Sequence, residues 1–171
     1  MDKIIGKEIY LRPITLDDTD LIVKWRNTKF VQDNFIFREE FTPEMHTNWM
    51  KTKVNNGKVV QYIICESNNS PVGSIYYRDI DLAKKCAEFG IFIGEEYALG
   101  KGYGKEATSL FVNFGFESMG LDKIILRVTD KNGRAVHVYE KVGFKILYEE
   151  TEISQPSGEE LNVVFMEINK V

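Results

Sequence analysis

Apolar and polar positions along the chain follow two periods, and most elements can be read from which period is in force. Glu8-Ile9-Tyr10-Leu11-Arg12 predicts a first strand. Thr15-Leu16-Asp17-Asp18 supplies polar groups to cap a helix whose apolar stripe is Leu21, Ile22 and Trp25. Thr42 suits the N-cap and Pro43 the first position of a second helix, buried through Met45, Trp49 and Met50. Val59–Cys65 and Val72–Ile80 then read as a hairpin about the Asn68-Asn69-Ser70-Pro71 turn. Ala87–Ile93 is predicted as a third strand of this group, with Ala87, Phe89, Ile91 and Ile93 on one face and Glu88, Gly90 and Phe92 on the other.

After Gly94 the period becomes helical. Ala107, Leu110, Phe111 and Phe114 mark a helix from about Gly102 to Ser118, placed to end at Gly120. Lys123–Thr129 is a strand, Asn132–Lys141 a helix stopped at Gly143, and Phe144–Tyr148 and Leu161–Ile168 two more strands. Gln155-Pro156-Ser157-Gly158 falls in the loop between those two. The predicted order is βααβββαβαββ, an α/β fold with a mixed sheet in one domain, residues 1–171.

Composition narrows the function. With 171 residues, 43% hydrophobic and 28% charged, the chain has room for a sizeable core and little reason for disorder. A net charge of −4 disfavours a globally cationic nucleic-acid surface. No apolar run approaches 18 residues and the N-terminus lacks a signal-peptide stretch, so no membrane association is expected. Cys65 and Cys86 lie far apart and fit a reducing cytoplasm, and with His46 and His137 they offer no zinc spacing, so no metal is expected. The charge is unevenly spread: residues 97–141 carry 7 basic and 5 acidic groups, residues 142–171 carry 2 and 6.

Two segments carry chemistry. Leu99-Gly100-Lys101-Gly102-Tyr103-Gly104-Lys105 follows a strand and opens a helix. Glycines there permit sharp turns and close ligand approach, and the helix N-terminus offers free N–H groups to an anion such as pyrophosphate. The bland alternative is a simple turn. Neither a P-loop nor a dinucleotide fingerprint fits the string. In the second segment, Asn132 to Phe144, Asn132, Ala135 and Tyr139 share a helix face, and a phenol so presented can donate a proton or simply pack in the core.

Together the two segments resemble the GCN5-related N-acetyltransferase superfamily. The pattern Asn-x-x-Ala-x-x-x-Tyr-x-x-x-Gly-Phe is met at every fixed position from Asn132 to Phe144, while the glycine motif is met at Gly102 and Gly104 but has Leu99 where Arg or Gln is usual. The resemblance implies acetyl-CoA as cosubstrate, its pyrophosphate on backbone N–H groups of Gly100, Lys101, Gly102, Tyr103, Gly104 and Lys105, and its pantetheine beside Ile91 and Ile93. Asn132 would contact the pantetheine or fix the loop, and Lys101, Lys105 and Lys141 would add charge near the phosphates. It also implies direct acetyl transfer to a primary amine, with Tyr139 as general acid and Glu88 as base. A non-catalytic acyl-CoA sensor is the alternative, and a homodimer is allowed.

By the same resemblance the acceptor site lies between about Trp25 and Trp49 and near residues 150–160, with Arg26, Phe35, Phe37, His46 and Trp49 as substrate-binding candidates. The acidic C-terminal block favours a cationic acceptor such as a polyamine, while Arg26, Arg38 and Arg78 favour an anionic nucleotide-linked amino sugar. The acceptor stays open between them, with aminoglycosides and protein N-termini also in range.

Overall fold

The computed structural model describes residues 1–155 and 157–171, so Pro156 of the predicted loop lies outside the described residues. Eight strands form one sheet in the order β1-β2-β3-β4-β5-β6-β8-β7. They are β1 (Ile4–Ile5), β2 (Ile9–Pro13), β3 (Val60–Glu66), β4 (Pro71–Asp81), β5 (Cys86–Ile93), β6 (Lys123–Thr129), β7 (Lys145–Ile153) and β8 (Glu160–Asn169). The helices are α1 (Thr19–Arg26), α2 (Lys29–Gln32), α3 (Pro43–Trp49), α4 (Tyr103–Glu117) and α5 (Gly133–Val142).

Every expected element is present, together with 3₁₀ turns at Leu16–Asp18 and Glu96–Ala98 and further features that were not expected. The two-residue strand β1 pairs antiparallel with β2, α2 adds one turn after α1, and α3 continues into a π-helical turn, Met50–Val54, closed by the Asn55 N–H on the Met50 carbonyl at 2.8 Å. The strand expected at Phe144–Tyr148 is the first half of the longer β7.

Local chemistry sets the ends. Thr42 caps α3 by accepting from the Met45 N–H at 3.2 Å, with Pro43 at the first helical position. The Asp18 carboxylate accepts the Thr15 N–H at 2.8 Å and both ends of the Arg12 guanidinium at 2.9 and 2.7 Å, which ties the entry of α1 to β2.

The sheet separates two cores. On one face α4 and α5 cover Tyr62, Ile64, Ile75, Tyr77, Phe89, Ile124 and Leu126. On the other, α1 and α3 cover Ile63, Cys65 and Phe92 with Ile22, Trp25 and Met50. The alternation expected along β5 is met, since Ala87 and Phe89 join the first core and Phe92 the second. Phe111 of α4 is the centre of the first core: fully buried, stacked on Tyr77 at 4.4 Å, with its carbonyl accepting the Tyr77 hydroxyl at 2.7 Å.

One irregularity in the sheet positions everything that follows. β5 and β6 are parallel neighbours paired only at Cys86–Lys123, Ala87–Ile124 and Glu88–Ile125. Beyond that point β5 keeps β4 and β6 keeps β8, but the two strands part from each other. Phe89–Ile93 and Leu126–Thr129 therefore each have one edge without a strand partner inside a continuous sheet.

Replacing Phe111 by Ala is expected to lower unfolding free energy by about 3–5 kcal/mol in a denaturant titration, since it empties a fully buried aromatic site.

Candidate active site

A cavity of about 530 Å³ opens where β5 and β6 part, a size usual for a small-molecule site. Phe89, Gly90, Ile91 and Phe92 of β5 and Leu126, Arg127 and Val128 of β6 line one end. Arg26, the 34–37 loop, His46, Trp49 and Lys53 line the other. Tyr139, Glu88, Asn132, Arg26, Phe35, Phe37, His46, Trp49 and Ile91, scattered through the sequence, all face this one space.

Tyr139 projects from α5, which starts at Asn132, whose side chain accepts from the Ala135 N–H at 3.4 Å. Asn132 thus fixes the helix start and lines the cavity as well. The Tyr139 ring packs edge-on to Phe89 and Phe144, at 6.0 and 5.9 Å. Burial, with a smaller effect from Tyr76, pushes its pKa well above that of a free phenol, so the hydroxyl stays protonated at working pH. Tyr139 is therefore a core residue that carries a protonated hydroxyl on the cavity wall.

Glu88 stands where the strands part. Its Oε1 accepts from Arg78 Nη2 at 3.2 Å and Arg127 Nε at 3.0 Å, and Arg127 also pairs with Glu152 of β7 at 3.2 Å. Oε2 has no protein partner among the described residues and is the oxygen left for other work.

The far end is cationic. Arg26 lies over the rings of Phe35 and Phe41, at 4.0 and 4.5 Å. No carboxylate pairs with it among the described residues, and burial pulls the guanidinium below its usual pKa, partly opposed by Tyr76. Arg78 is bound to Glu88, and Arg38 lies outside the cavity, paired with Glu159 at 2.7 Å and with the Phe35 and Asp33 carbonyls. Of the three arginines expected to meet an anion, Arg26 alone has no acidic partner among the described residues. Lys53 adds a second unpaired cation at the rim.

His46 is 1% exposed, and its Nδ1 lies 2.9 Å from Thr19 Oγ1. That hydroxyl donates its own proton to the Leu16 carbonyl, so it accepts from Nδ1–H and leaves Nε2 as the lone-pair nitrogen. Nε2 is buried without a partner. Burial lowers the His46 pKa and Arg26 adds to this, outweighing Asp18, so the ring is neutral. Trp49 donates through Nε1 to Gln61 at 2.9 Å, and Gln61 donates to Ser74 at 2.9 Å, a chain that holds the indole at the cavity wall.

The glycine loop has the expected form. Gly100 and Gly102 adopt φ of +75° and +82°, and α4 begins directly after the second. A Cβ at Gly100, Gly102 or Gly104 would meet nothing within 4 Å, so the space beside the backbone N–H groups at this fifteen-residue helix start is open to a ligand. Together with the unpaired edge of β5, which includes Ile91 and Ile93, this fits a long ligand with a pyrophosphate at one end and amide groups along its length. The three lysines differ in their surroundings. Lys101 faces Glu66 at 3.8 Å, and Lys105 and Lys141 are exposed with no fixed partner among the described residues.

The acidic tail does not face the cavity either. Glu152, Glu159 and Glu167 pair with Arg127, Lys131 and Lys123, and none of the described residues from 150 to 160 lines the space. This tail buttresses the 34–38 loop instead, with Ser154 Oγ donating to the Ile36 carbonyl at 2.5 Å.

Tyr76, Gln61, Arg127 and Lys53 also line the cavity and were missed by sequence reasoning. A signal for Tyr76 existed: it sits cross-strand from Gly90, and a Cβ on Gly90 would collide with its ring.

Comparison with known proteins agrees with this geometry. The family model described as an acetyltransferase (GNAT) domain matches residues 8–145. The chain is 27% identical over 138 residues to spermidine N(1)-acetyltransferase of Escherichia coli K12, covering 81% of this chain and 73% of that protein. It is 30% identical over 148 residues to an uncharacterized protein of Methanocaldococcus jannaschii, covering 84% of this chain but only 30% of that longer protein. Its fold matches spermidine N-acetyltransferase of Vibrio cholerae, solved with CoA and spermine, at a TM-score of 0.87 and 21% identity over 95% of both chains. The family model spans most of the chain, which belongs to the GNAT acetyltransferase family.

Proposed function

We propose that this acetyl-CoA-dependent N-acetyltransferase directs its acetyl group to a primary amine on a small anionic molecule, such as an amino sugar linked to phosphate or nucleotide. The observation that carries the proposal is Arg26, a desolvated guanidinium on the cavity wall with no acidic partner among the described residues. A cation taken out of water without a counter-ion is destabilised until an anion arrives. Lys53 also lines the cavity, while Glu88, the one carboxylate on the wall among the described residues, is already bound by two arginines. Phe35, Phe37 and Trp49 suit a sugar or base face, and His46 Nε2 offers an acceptor to a hydroxyl or N–H of the same molecule.

A polyamine is the second reading, favoured by the spermidine acetyltransferases among the relatives. Against it stand the cationic lining and an acidic tail whose Glu152 and Glu159 are held by Arg127, Lys131 and Arg38.

Acetyl-CoA supplies an activated thioester, held by the 100–105 backbone and the free edge of β5. The chain's own groups handle two protons. Glu88 Oε2 takes one from the incoming amine, directly or through water, as the C–N bond forms. Tyr139 gives one to the sulfur as the C–S bond breaks, and recovers it from solvent.

Tyr139→Phe is expected to lower kcat about a hundredfold with acetyl-CoA affinity unchanged. Because burial raises the Tyr139 pKa, its acid form persists above pH 10, the ordinary phenol value. The wild-type rate should then rise with pH as the amine deprotonates and show no falling limb below about pH 9.5. An unchanged kcat in the variant refutes the role.

A thiol-release assay should give higher kcat/KM with amino-sugar phosphates or nucleotides than with spermidine, and Arg26→Gln should cut the former at least about tenfold. Preference for spermidine, unaltered by Arg26→Gln, would reverse the acceptor assignment.

A further inference from the structure

The glycine loop is short of polar side chains. Leu99 opens it with an aliphatic group that is 40% exposed and unable to hydrogen bond, and Gly100 and Gly102 have no side chain. A loop with two residues at positive φ has many accessible conformations, and a backbone anion cradle works only if its N–H groups are held in place.

The restraint comes from outside the loop. Glu66 is the last residue of β3, and its side chain is only 14% exposed. Its Oε2 accepts from the Tyr97 hydroxyl at 3.1 Å and its Oε1 from the Tyr103 hydroxyl at 2.8 Å. Tyr97 lies in the short 3₁₀ turn Glu96–Ala98 before the glycines, and Tyr103 is the first residue of α4 after them. One carboxylate therefore bridges both flanks of the loop. Lys101, between the flanks, faces Glu66 Oε1 at 3.8 Å, with its ammonium 5.1 Å from the Tyr97 ring centre and 5.9 Å from that of Tyr103. Glu66 is itself well anchored: it pairs with Ile9 of β2, its N–H donates to the Ser70 carbonyl, and its carbonyl accepts from Asn69.

We infer that Glu66 is a positioning residue for cosubstrate binding, bracing the 99–103 loop through Tyr97 and Tyr103 and orienting Lys101. The inference rests on the reading that this loop receives the acetyl-CoA phosphates. It assigns Glu66 an effect opposite to what simple charge predicts. A carboxylate near a pyrophosphate site should repel the ligand, so removing it should tighten binding. A brace predicts weaker binding, because the loop loses its order.

The test uses the full chain with Glu66→Ala, Glu66→Gln and Tyr103→Phe. Glu66→Ala is expected to raise KM for acetyl-CoA about tenfold, as for loss of charge-assisted hydrogen bonds. The kcat at saturating acetyl-CoA and KM for the acceptor should be unchanged. Glu66→Gln, which keeps an acceptor oxygen for one phenol, and Tyr103→Phe should each lose less. A second readout needs no ligand: amide hydrogen exchange over residues 99–103 should quicken in Glu66→Ala while Phe111 and Val112 in α4 stay protected, which also reports on folding. Unchanged exchange in that loop, or tighter acetyl-CoA binding by Glu66→Ala, overturns the brace. If wild-type protein fails to bind acetyl-CoA but the loop exchange still quickens, the brace stands and the cosubstrate reading falls.

Discussion

The parting of β5 from β6 is the constraint on which the rest of the molecule depends. Two parallel strands that pair for three residues and then separate leave backbone donors and acceptors open in the middle of a sheet. Such an edge is tolerated only where something held elsewhere keeps the strands apart. Here β4 holds one strand and β8 the other, so neither can swing across to close the gap. Glu88 and Arg127 sit at the fork and tie the strands together by an ion pair at 3.0 Å where the backbone pairing ends. The open edge thus presents backbone groups without a strand partner, flanked by two paired strands.

Around this gap, charge is arranged by tertiary pairing rather than by sequence block. The acidic C-terminal block suits a cation by sequence, yet Glu152, Glu159 and Glu167 in it are held by neighbouring arginines and lysines. Conversely, Arg26 is neutralised by no described residue and stands over two phenylalanines on the cavity wall. The same logic applies at the other end of the site. At the glycine loop, Lys101 faces Glu66. A chain of net charge −4 can therefore serve a highly anionic ligand, because the charges that matter are local.

Much of this was legible in the sequence, for reasons that differ by element. The helices α4 and α5 carry both an apolar period and local end signals, so Gly102 and Asn132 marked their starts within a residue. The hairpin of β3 and β4 and the two-faced pattern of β5 follow from alternation alone. The strand β7 was read short because nearly all of its residues are exposed, leaving no alternation to follow. The dipeptide β1 and the single turn α2 are too brief to show any period. Membership of the site was partly readable, since Tyr139 and His46 stood out by chemistry. Which arginines were already paired was not, because Arg38 meets Glu159 across 121 residues of sequence. The fork itself is a property of register between residues 37 apart in sequence, as in Cys86 and Lys123, and no local pattern encodes it.

The central claim is that the free edge of β5 and the glycine loop together receive acetyl-CoA. Amide hydrogen exchange, measured on the full chain with and without saturating acetyl-CoA, tests it most directly. The account predicts slowed exchange at the gap-facing amides of Phe89–Ile93 and across residues 100–105, with β2 and β3 unaffected. Exchange unchanged at both segments while acetyl-CoA is demonstrably bound would contradict it.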